Sequence, residues 1–259
     1  LRKDSSQTRA RALGRASETY SAVMAGLGPA IHVLAVAQDV DARDKRGHDG
    51  GVMKLNSQEL ERIARLTLEH YNRHAEQFWQ GTRDHDVSQN IAALLEHIEG
   101  EPPFTILDFG CGPGRDLKVF SELGHVAIGL EGAAQFAAMA RAYSGCEVWQ
   151  QDFLKLDLPA DHFDGIFANA ALFHVPGQEL PRVLLELRAT LKPRGVLFCS
   201  NPRGHNEEGW SGDRYSAYHD LETWRRYVSG AGFVELAHYY RPPGLPRERQ
   251  PWLATVWRR

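Results

Sequence analysis

The chain is predicted to form an α/β domain in which a largely parallel sheet carries helices on both faces. Three features predict this fold. From residue 105 onwards, short apolar runs alternate with segments of helical periodicity, which is the pattern of strands joined by helical crossovers. The first apolar run ends in Asp108, and glycines follow it at positions 110, 112 and 114. The last two apolar runs have no helix between them, so we expect an antiparallel pair at one edge.

Two helices are predicted ahead of the sheet. Asn56 and Glu59 have the spacing of a capping box, and apolar residues then recur at helical intervals. The first helix is therefore expected over residues 56–79. A second helix is expected over 87–98, after a short polar linker at 81–86.

Seven strands follow, and their alternation with helices predicts a Rossmann-like sheet with an antiparallel last strand. The predicted strands are 105–109, 125–130, 147–151, 164–168, 195–200, 233–240 and 252–257. The predicted helices between them are 115–123, 133–143, 179–191 and 220–230. A polar loop is expected at 201–217, because this stretch is too polar for a core strand.

Composition excludes several classes of protein. With 259 residues the chain suits one α/β domain plus an appendage, and a formal charge of −3 argues against a dedicated nucleic-acid binder. Three cysteines form no C-x-x-C pair, so we expect no disulfide framework, no metal site and a reducing, cytoplasmic location. No membrane association is expected, because a spanning helix needs about 18 uninterrupted apolar residues.

Residues 1–52 differ in composition from the remainder. They begin basic and rich in Ser and Ala, and they end in a charged, Gly-rich run. A signal peptide is the alternative interpretation, but Gly28-Pro29 interrupts the apolar middle. We expect a disordered extension, with Met53 as the natural start of the protein. A helical cap at 53–104 and a cofactor-binding domain at 105–259 complete the predicted organisation.

The glycine turn after the first strand discriminates between cofactors. Glycines allow positive φ angles and close approach of a ligand, and the following helix N-terminus favours electron-rich atoms. A dinucleotide fingerprint needs its third glycine at position 115, where this chain has Arg115. The stretch ILDFGCGPG at 106–114 instead resembles the first motif of the class I S-adenosylmethionine-dependent methyltransferases, D-x-G-C-G-x-G after an apolar run. The turn at 191–195 resembles the L-K-P-G-G turn of that family, with Arg194 in place of the first glycine.

This resemblance implies S-adenosylmethionine as the cofactor and places its binding groups at strand ends. It implies that Asp108 faces the methionine ammonium, that Glu131 accepts the ribose hydroxyls and that Asp152 accepts the adenine amino group, with Phe153 over the ring. Each acid alone also fits an ordinary turn or helix cap. Three acids in this order favour the cofactor site. The cofactor-binding candidates are Asp108, Gly110, Cys111, Gly112, Gly114, Glu131, Gly132, Asp152, Phe153, Asn169 and Arg83.

The acceptor side requires alignment of a nucleophile and, where needed, removal of a proton. His174 follows the fourth strand and is the predicted base, since its ordinary pKa of about 6.5 suits proton abstraction near neutrality. His85, in the linker between the first two helices, is the second catalytic candidate. The alternative roles for both are packing and capping. The substrate-binding candidates are Tyr71, Arg203, Arg214 and Tyr215.

The predicted function is therefore transfer of a methyl group to a small-molecule acceptor. The arginines of the 201–217 loop fit an anionic acceptor, since guanidinium groups pair well with carboxylates. The nucleophile stays open between oxygen, nitrogen, sulfur and carbon. Two alternatives remain: a nicotinamide-dependent oxidoreductase, which Arg115 disfavours, and a catalytically silent module that binds S-adenosylmethionine.

Overall fold

A seven-stranded sheet with helices on both faces forms the centre of the computed structural model, which describes residues 54–259. The expectations for residues 1–52 and for Met53 lie outside the described residues. The helices are α1 (Ser57–Arg73), α2 (Ala75–Thr82), α3 (Ser88–Leu95), α4 (Arg115–Glu122), α5 (Ala134–Ser144), α6 (Leu180–Thr190) and α7 (Leu221–Gly230). The strands are β1 (Thr105–Phe109), β2 (Val126–Glu131), β3 (Glu147–Gln150), β4 (Phe163–Asn169), β5 (Leu191–Pro202), β6 (Glu207–Ser211), β7 (Arg214–Tyr218), β8 (Val234–Arg241) and β9 (Trp252–Arg258).

The order of the strands in the large sheet is β3-β2-β1-β4-β5-β9-β8. Strands β3, β2, β1, β4 and β5 are parallel neighbours, whereas β9 is antiparallel to both β5 and β8. This arrangement confirms the predicted fold class, including its antiparallel last strand. The strand order reverses between β1 and β4, so the carboxyl ends of these strands form the crevice in which open α/β sheets bind ligands.

The core lies on the two faces of this sheet. On one face, Leu187 of α6 and Trp224 of α7 are buried in one cluster with Leu107 of β1 and Ile128 of β2. On the other face, Ile91 of α3, Leu117 of α4 and Ala137 of α5 are buried against the sheet. Helix α3 therefore belongs to the layer that covers one face of the sheet. Helices α1 and α2 instead cover the edge formed by the carboxyl ends of the parallel strands.

The predicted helix over 56–79 is broken at His74 into α1 and α2. The capping box is confirmed, because Asn56 accepts from the Glu59 amide and Glu59 accepts from the Asn56 amide. At the other end, the Nδ1 atom of His74 bonds the carbonyl of His70 at 2.8 Å, and the chain turns there. Because of this break, Tyr71 of α1 and Phe78 of α2 both pack on the ring of Phe136 in α5.

The polar loop predicted at 201–217 is wrong in part, since β6 and β7 form a hairpin there. Gly212 and Asp213 form its two-residue turn, and Gly212 has the positive φ that such turns need. Contacts with distant residues fix the hairpin: the Tyr215 amide donates to Thr67 of α1 at 3.1 Å, and Arg73 pairs with Asp213 at 2.8 Å. Among residues 54–259, no helix combines the length and the apolar character that crossing a bilayer requires.

Candidate active site

The glycine turn joins β1 to α4 and is held against β2. The amides of Gly110 and Cys111 both donate to the carbonyl of Leu130, at 2.8 and 3.1 Å. Gly110, Gly112 and Gly114 all have positive φ. A Cβ on Gly110 would lie 2.6 Å from the Cβ of Ala171, whereas at Gly112 the nearest atom is a ring carbon of Phe78 at 3.9 Å. Gly110 is thus required by conformation and packing, and Gly112 faces helix α2.

Asp108 lies at the end of β1, next to this turn. Its side chain is buried, and its Oδ2 atom has no hydrogen-bond partner. Burial raises the pKa of this carboxyl well above its ordinary value, and the nearby negative charge of Asp116 raises it further. A buried acceptor atom without a donor is costly to the free protein. It is also the group that a bound ammonium or amine would satisfy.

Glu131, at the end of β2, binds the glycine turn directly. Its Oε2 atom accepts from the Gly112 amide at 3.0 Å, and its Oε1 atom accepts from the Ala133 amide at 2.8 Å. Burial of the carboxyl raises its pKa from 4.5 to about 7. The structure therefore brings Asp108, Gly112 and Glu131 to one place, as the sequence predicts.

The segment after β3 contributes a ring to the same turn. The Gln151 amide donates to the Glu131 carbonyl at 3.2 Å, which carries the chain alongside β2. Phe153 stacks on Phe109 with ring centroids 4.3 Å apart, and its edge lies 3.1 Å from the place of a Cβ on Gly110. Asp152 accepts from the Leu154 amide at 2.9 Å, so in this structure its carboxylate stabilises a turn.

Two further cofactor candidates are placed by packing. Gly132 lies under helix α1, because a Cβ there would lie 2.6 Å from Leu68. The side chain of Cys111 is buried and reaches toward the core, within 2.8 Å of the position of a Cβ on Gly129. Burial raises the pKa of this thiol well above its ordinary value. Cys111 therefore contributes its backbone to the turn, and its thiol is a packing group.

Asn169, at the end of β4, lies in a polar network that the sequence did not predict. Its Oδ1 atom accepts from Asn90 of α3 at 2.9 Å, and its Nδ2 atom donates to Asp116 at 3.2 Å. Asp116 in turn binds Arg115 through both carboxylate oxygens. The adjacent opposite charges of Arg115 and Asp116, directly after the glycines, are the sequence signal that could have indicated this network.

His174 and Tyr71 form a hydrogen-bonded pair beside the turn. The Tyr71 hydroxyl lies 2.7 Å from Nε2 of His174, and Nδ1 of His174 lies 2.8 Å from the carbonyl oxygen of Tyr215. Because a carbonyl can only accept, Nδ1 carries the proton, and Nε2 accepts from Tyr71. Burial lowers the pKa of His174 to about 4, so the imidazole is neutral near pH 7. Burial also raises the pKa of the Tyr71 hydroxyl.

Arg214 supplies positive charge next to this pair. Its guanidinium carbon lies 5.9 Å from the centre of the Tyr71 ring. Its Nε atom is buried without a hydrogen-bond partner, as is Nδ1 of the neighbouring His70. The charge of Arg214 lowers the pKa of His70, after burial, and opposes the rise in the pKa of Tyr71 that burial causes. Tyr215 takes part through its backbone, while its ring packs on Trp210 at 5.6 Å and lines a separate cavity of about 90 Å³.

Three predicted site residues have their described contacts elsewhere. The guanidinium of Arg203 donates to the carbonyls of Gln250 and Arg247, so this side chain holds the loop between β8 and β9. Arg83 is exposed and pairs with its neighbour Asp84 at 3.4 Å. The His85 amide donates at 3.1 Å to the Thr82 carbonyl that also accepts from Arg115, so His85 lies beside the Arg115 network, and burial, followed by the charge of Arg115, lowers its pKa. The geometry gives none of them a contact with the Tyr71–His174 pair.

Part of the chain matches a known protein family and several curated proteins. Residues 107–199 match the family described as a methyltransferase domain. The trans-aconitate 2-methyltransferase of Azoarcus sp. (strain BH72) is 33% identical over 116 residues, which cover 44% of this chain and 45% of that protein. A sterol 24-C-methyltransferase of Gibberella zeae is 25% identical over 188 residues, which cover 64% and 49%. The chain thus spans about half the length of the curated relatives it matches.

Solved structures share the fold. The 1,6-didemethyltoxoflavin-N1-methyltransferase of Burkholderia thailandensis superposes with a TM-score of 0.65 at 19% identity, over 80% of this chain and 92% of that one. An S-adenosylmethionine-dependent methyltransferase of Mesorhizobium loti gives a TM-score of 0.54 at 22% identity, over 64% and 96%. At these identities the likeness is one of architecture.

Proposed function

We propose that this chain, whose residues 107–199 match a methyltransferase domain and whose fold resembles that of S-adenosylmethionine-dependent methyltransferases, transfers a methyl group from S-adenosylmethionine to a small-molecule acceptor. One observation supports the cofactor above the others. The buried Oδ2 atom of Asp108 lacks a partner beside a glycine turn to which Glu131 is also bound. A cofactor with an ammonium group at one end and ribose hydroxyls in its middle matches these two acids.

The residues present fit this cofactor. Asp108 would hold its ammonium group, Glu131 its ribose hydroxyls, and Phe153 would pack on its adenine ring. The open backbone at Gly112, where the nearest side chain is 3.9 Å from the place of a Cβ, allows close approach. Bound in this way, S-adenosylmethionine supplies a methyl group that is already activated by a sulfonium centre. Leu68 of α1 packs over Gly132, and Phe78 of α2 is the side chain nearest to Gly112, so these two helices would shield the cofactor from water.

The Tyr71–His174 pair is the proposed base. An acceptor O–H or N–H group that binds at the Tyr71 oxygen can pass its proton to that oxygen while the hydroxyl proton of Tyr71 moves to Nε2 of His174. The carbonyl of Tyr215 stabilises the imidazolium that forms, since it accepts from Nδ1 at 2.8 Å. The low pKa of His174 keeps Nε2 unprotonated near pH 7, which is the state that can take the proton of the Tyr71 hydroxyl. His85 lies with Arg115 and takes no part in this proposal.

We further propose that the acceptor carries an anionic group. Arg214 supports this proposal, because its buried Nε atom is an unpaired donor next to Tyr71. The relative from Azoarcus sp. is named for an anionic acid, trans-aconitate. Three unpaired cysteines, Cys111, Cys146 and Cys199, are consistent with a reducing cytoplasm as the location.

Calorimetric titration with S-adenosylmethionine, S-adenosylhomocysteine and NAD⁺ tests the proposal. We expect the two adenosyl compounds to bind and NAD⁺ not to bind. Asp108→Asn should weaken adenosyl binding, and Glu122→Gln on the exposed face of α4 is the matched surface control. Incubation with methyl-labelled donor and a fractionated metabolite extract should then transfer label to an anionic small molecule. Binding of NAD⁺ in place of the adenosyl compounds would overturn the assignment, and binding without any transfer would indicate a silent module.

A further inference from the structure

Arg115 joins the last turn of α2 to the first turn of α4. Its Nη1 atom donates to the carbonyl oxygen of Thr82 at 2.7 Å. Its Nε and Nη2 atoms donate to the two carboxylate oxygens of Asp116, at 2.6 and 2.9 Å. Thr82 is the final residue of α2, and its carbonyl oxygen, which has no partner within the helix, also accepts from the His85 amide at 3.1 Å. One edge of the guanidinium therefore adds a second, charge-assisted bond to the last carbonyl of α2, while Asp116 holds the other edge.

Further hydrogen bonds hold Asp116, which binds the Nε and Nη2 edge of Arg115. Asp116 also accepts from Asn169 at 3.2 Å, and Asn169 accepts from Asn90 at 2.9 Å. Asn90 in turn accepts from the Tyr239 hydroxyl at 2.9 Å, which ties the network to β8. The Arg115 side chain is only 20% exposed and that of Asp116 only 10%. This burial means that water competes weakly for the bonds that Arg115 makes.

Thr82 is bonded in turn to Phe78, the residue whose ring lies nearest to Gly112. The Thr82 hydroxyl donates to the carbonyl of Phe78 at 2.8 Å, one turn earlier in α2. The Phe78 ring lies 3.9 Å from the position of a Cβ on Gly112 and packs on Phe136 with ring centroids 5.0 Å apart. Arg115, Thr82 and Phe78 thus form a continuous link from the start of α4 to the cover of the turn.

We propose that Arg115 is a positioning residue of the cofactor site, which holds helix α2 and the Phe78 ring over Gly112. The inference rests on the proposed function in one respect, that Gly112 lines the cofactor. Arg115 acts through Thr82 and takes no part in the chemistry. Arg115 occupies the position at which a dinucleotide fingerprint needs glycine. The residue that disfavours a pyrophosphate site is therefore the one proposed to position helix α2.

Hydrogen exchange of the protein without ligand tests the link directly. Arg115→Gln should exchange the amides of residues 75–82 at least about tenfold faster than wild type, because a charge-assisted bond to the helix end is lost. Arg115→Lys should behave in the same way, since one ammonium cannot replace the fork that spans Thr82 and Asp116. Arg141→Gln, which removes an arginine–carbonyl bond of 2.6 Å from α5, is the matched control and should leave 75–82 unchanged.

A second variant covers the case in which Arg115→Gln fails to fold because Asp116 is left buried without its cation. The double variant Arg115→Gln/Asp116→Asn removes both charges and should show the same faster exchange. Titration with S-adenosylhomocysteine should give a Kd about tenfold weaker in every Arg115 variant. In turnover, the KM for S-adenosylmethionine should rise while kcat at saturation is retained.

The outcomes separate the two ideas. Wild-type exchange at 75–82 in the Arg115 variants overturns the positioning role, whatever the cofactor. Recovery by Arg115→Lys also overturns it, since charge alone would then suffice. A wild-type protein that does not bind S-adenosylhomocysteine contradicts the proposed function, whereas the exchange experiment still decides whether Arg115 holds α2.

Discussion

Replacing Glu131 with Gln is expected to remove a pH dependence of stability that burial creates. The Glu131 carboxyl is 7% exposed, and burial raises its pKa from 4.5 to about 7. As pH rises, the unfolded chain loses this proton first. Between the two pKa values the folded protein therefore binds more protons than the unfolded chain, so the free energy of unfolding falls as pH rises. The stabilisation is complete below the unfolded pKa and is lost as pH passes the folded one.

The size of the effect follows from the two pKa values. One pKa unit corresponds to ~1.36 kcal/mol, so a rise from 4.5 to about 7 lowers the free energy of unfolding by about 3 kcal/mol. About 2.5 kcal/mol of this loss falls between pH 5 and pH 8. Domains are stable by only ~5–15 kcal/mol in total, so the change is measurable. The raised pKa of Asp108 also makes the free energy of unfolding fall as pH rises, and the lowered pKa of His174 makes it rise. Both residues are present in the variant and in the wild type, so their effects cancel when the two proteins are compared.

The assay is unfolding by urea at about pH 5 and about pH 8 for wild type, Glu131→Gln and Glu122→Gln. Glu131→Gln should show a smaller fall in the free energy of unfolding than wild type, by about 2.5 kcal/mol. It is expected to be less stable at the lower pH, because glutamine offers one acceptor oxygen where two backbone amides donate. Glu122→Gln, whose side chain is 50% exposed, should follow wild type. Equal pH dependence in wild type and Glu131→Gln would refute the argument from burial.

Three further predictions concern the turn and the acceptor side. Tyr71→Phe should lower kcat by about 10²–10⁴-fold, because the path to Nε2 of His174 is lost, with the Kd of S-adenosylhomocysteine unchanged in calorimetry. Gly110→Ala should lower the free energy of unfolding by about 2–4 kcal/mol in urea, since φ is +74° and the added Cβ meets another at 2.6 Å. Arg214→Ala should raise the KM of an anionic acceptor, whereas Arg203→Ala should leave it unchanged, because only Arg214 lies by Tyr71.

Controls follow from the same contacts. Gly209→Ala, where nothing lies within 4 Å, should cost much less stability than the change at Gly110. Tyr240→Phe keeps the ring next to Arg203 and should leave kcat at the wild-type value. A wild-type kcat in Tyr71→Phe would exclude the hydroxyl from the proton path. An equal rise in KM for both arginine variants would mean that Arg203 also binds the acceptor.

Local features of the sequence predict local structure well. The capping box of α1 involves Asn56 and Glu59 only, so their spacing is sufficient to identify it. The glycine turn is similarly encoded, because positive φ at 110, 112 and 114 needs glycine whatever the rest of the chain does. The ends of parallel strands meet at one edge, and this rule brings Asp108 and Glu131 together without knowledge of any side-chain contact.

Contacts between distant residues explain what the sequence does not predict. The hairpin of β6 and β7 has exposed residues along β6 and is fixed by a bond from Tyr215 to Thr67, 148 positions away. The sequence of this hairpin therefore shows little of the alternation between apolar and polar residues that identifies a half-buried strand. The Tyr71–His174 bond likewise joins residues 103 positions apart, and no spacing indicates it.

The contacts of an arginine in a polar stretch are equally hard to predict from sequence. Arg203 and Arg214 look alike in sequence, yet Arg203 holds the carbonyls of a neighbouring loop and Arg214 lies over Tyr71. The distinction depends on which distant residues the folded chain brings next to each guanidinium group. Composition alone gives both the same preference for an anion.

Helix α1 contacts both halves of the crevice through adjacent residues. Leu68 packs over Gly132 beside the proposed donor site, and Thr67 accepts from the Tyr215 amide in the hairpin that carries Arg214. A displacement of α1 would therefore alter both contacts together. On the proposed function, we expect the donor and acceptor sides to respond jointly to any movement of this helix.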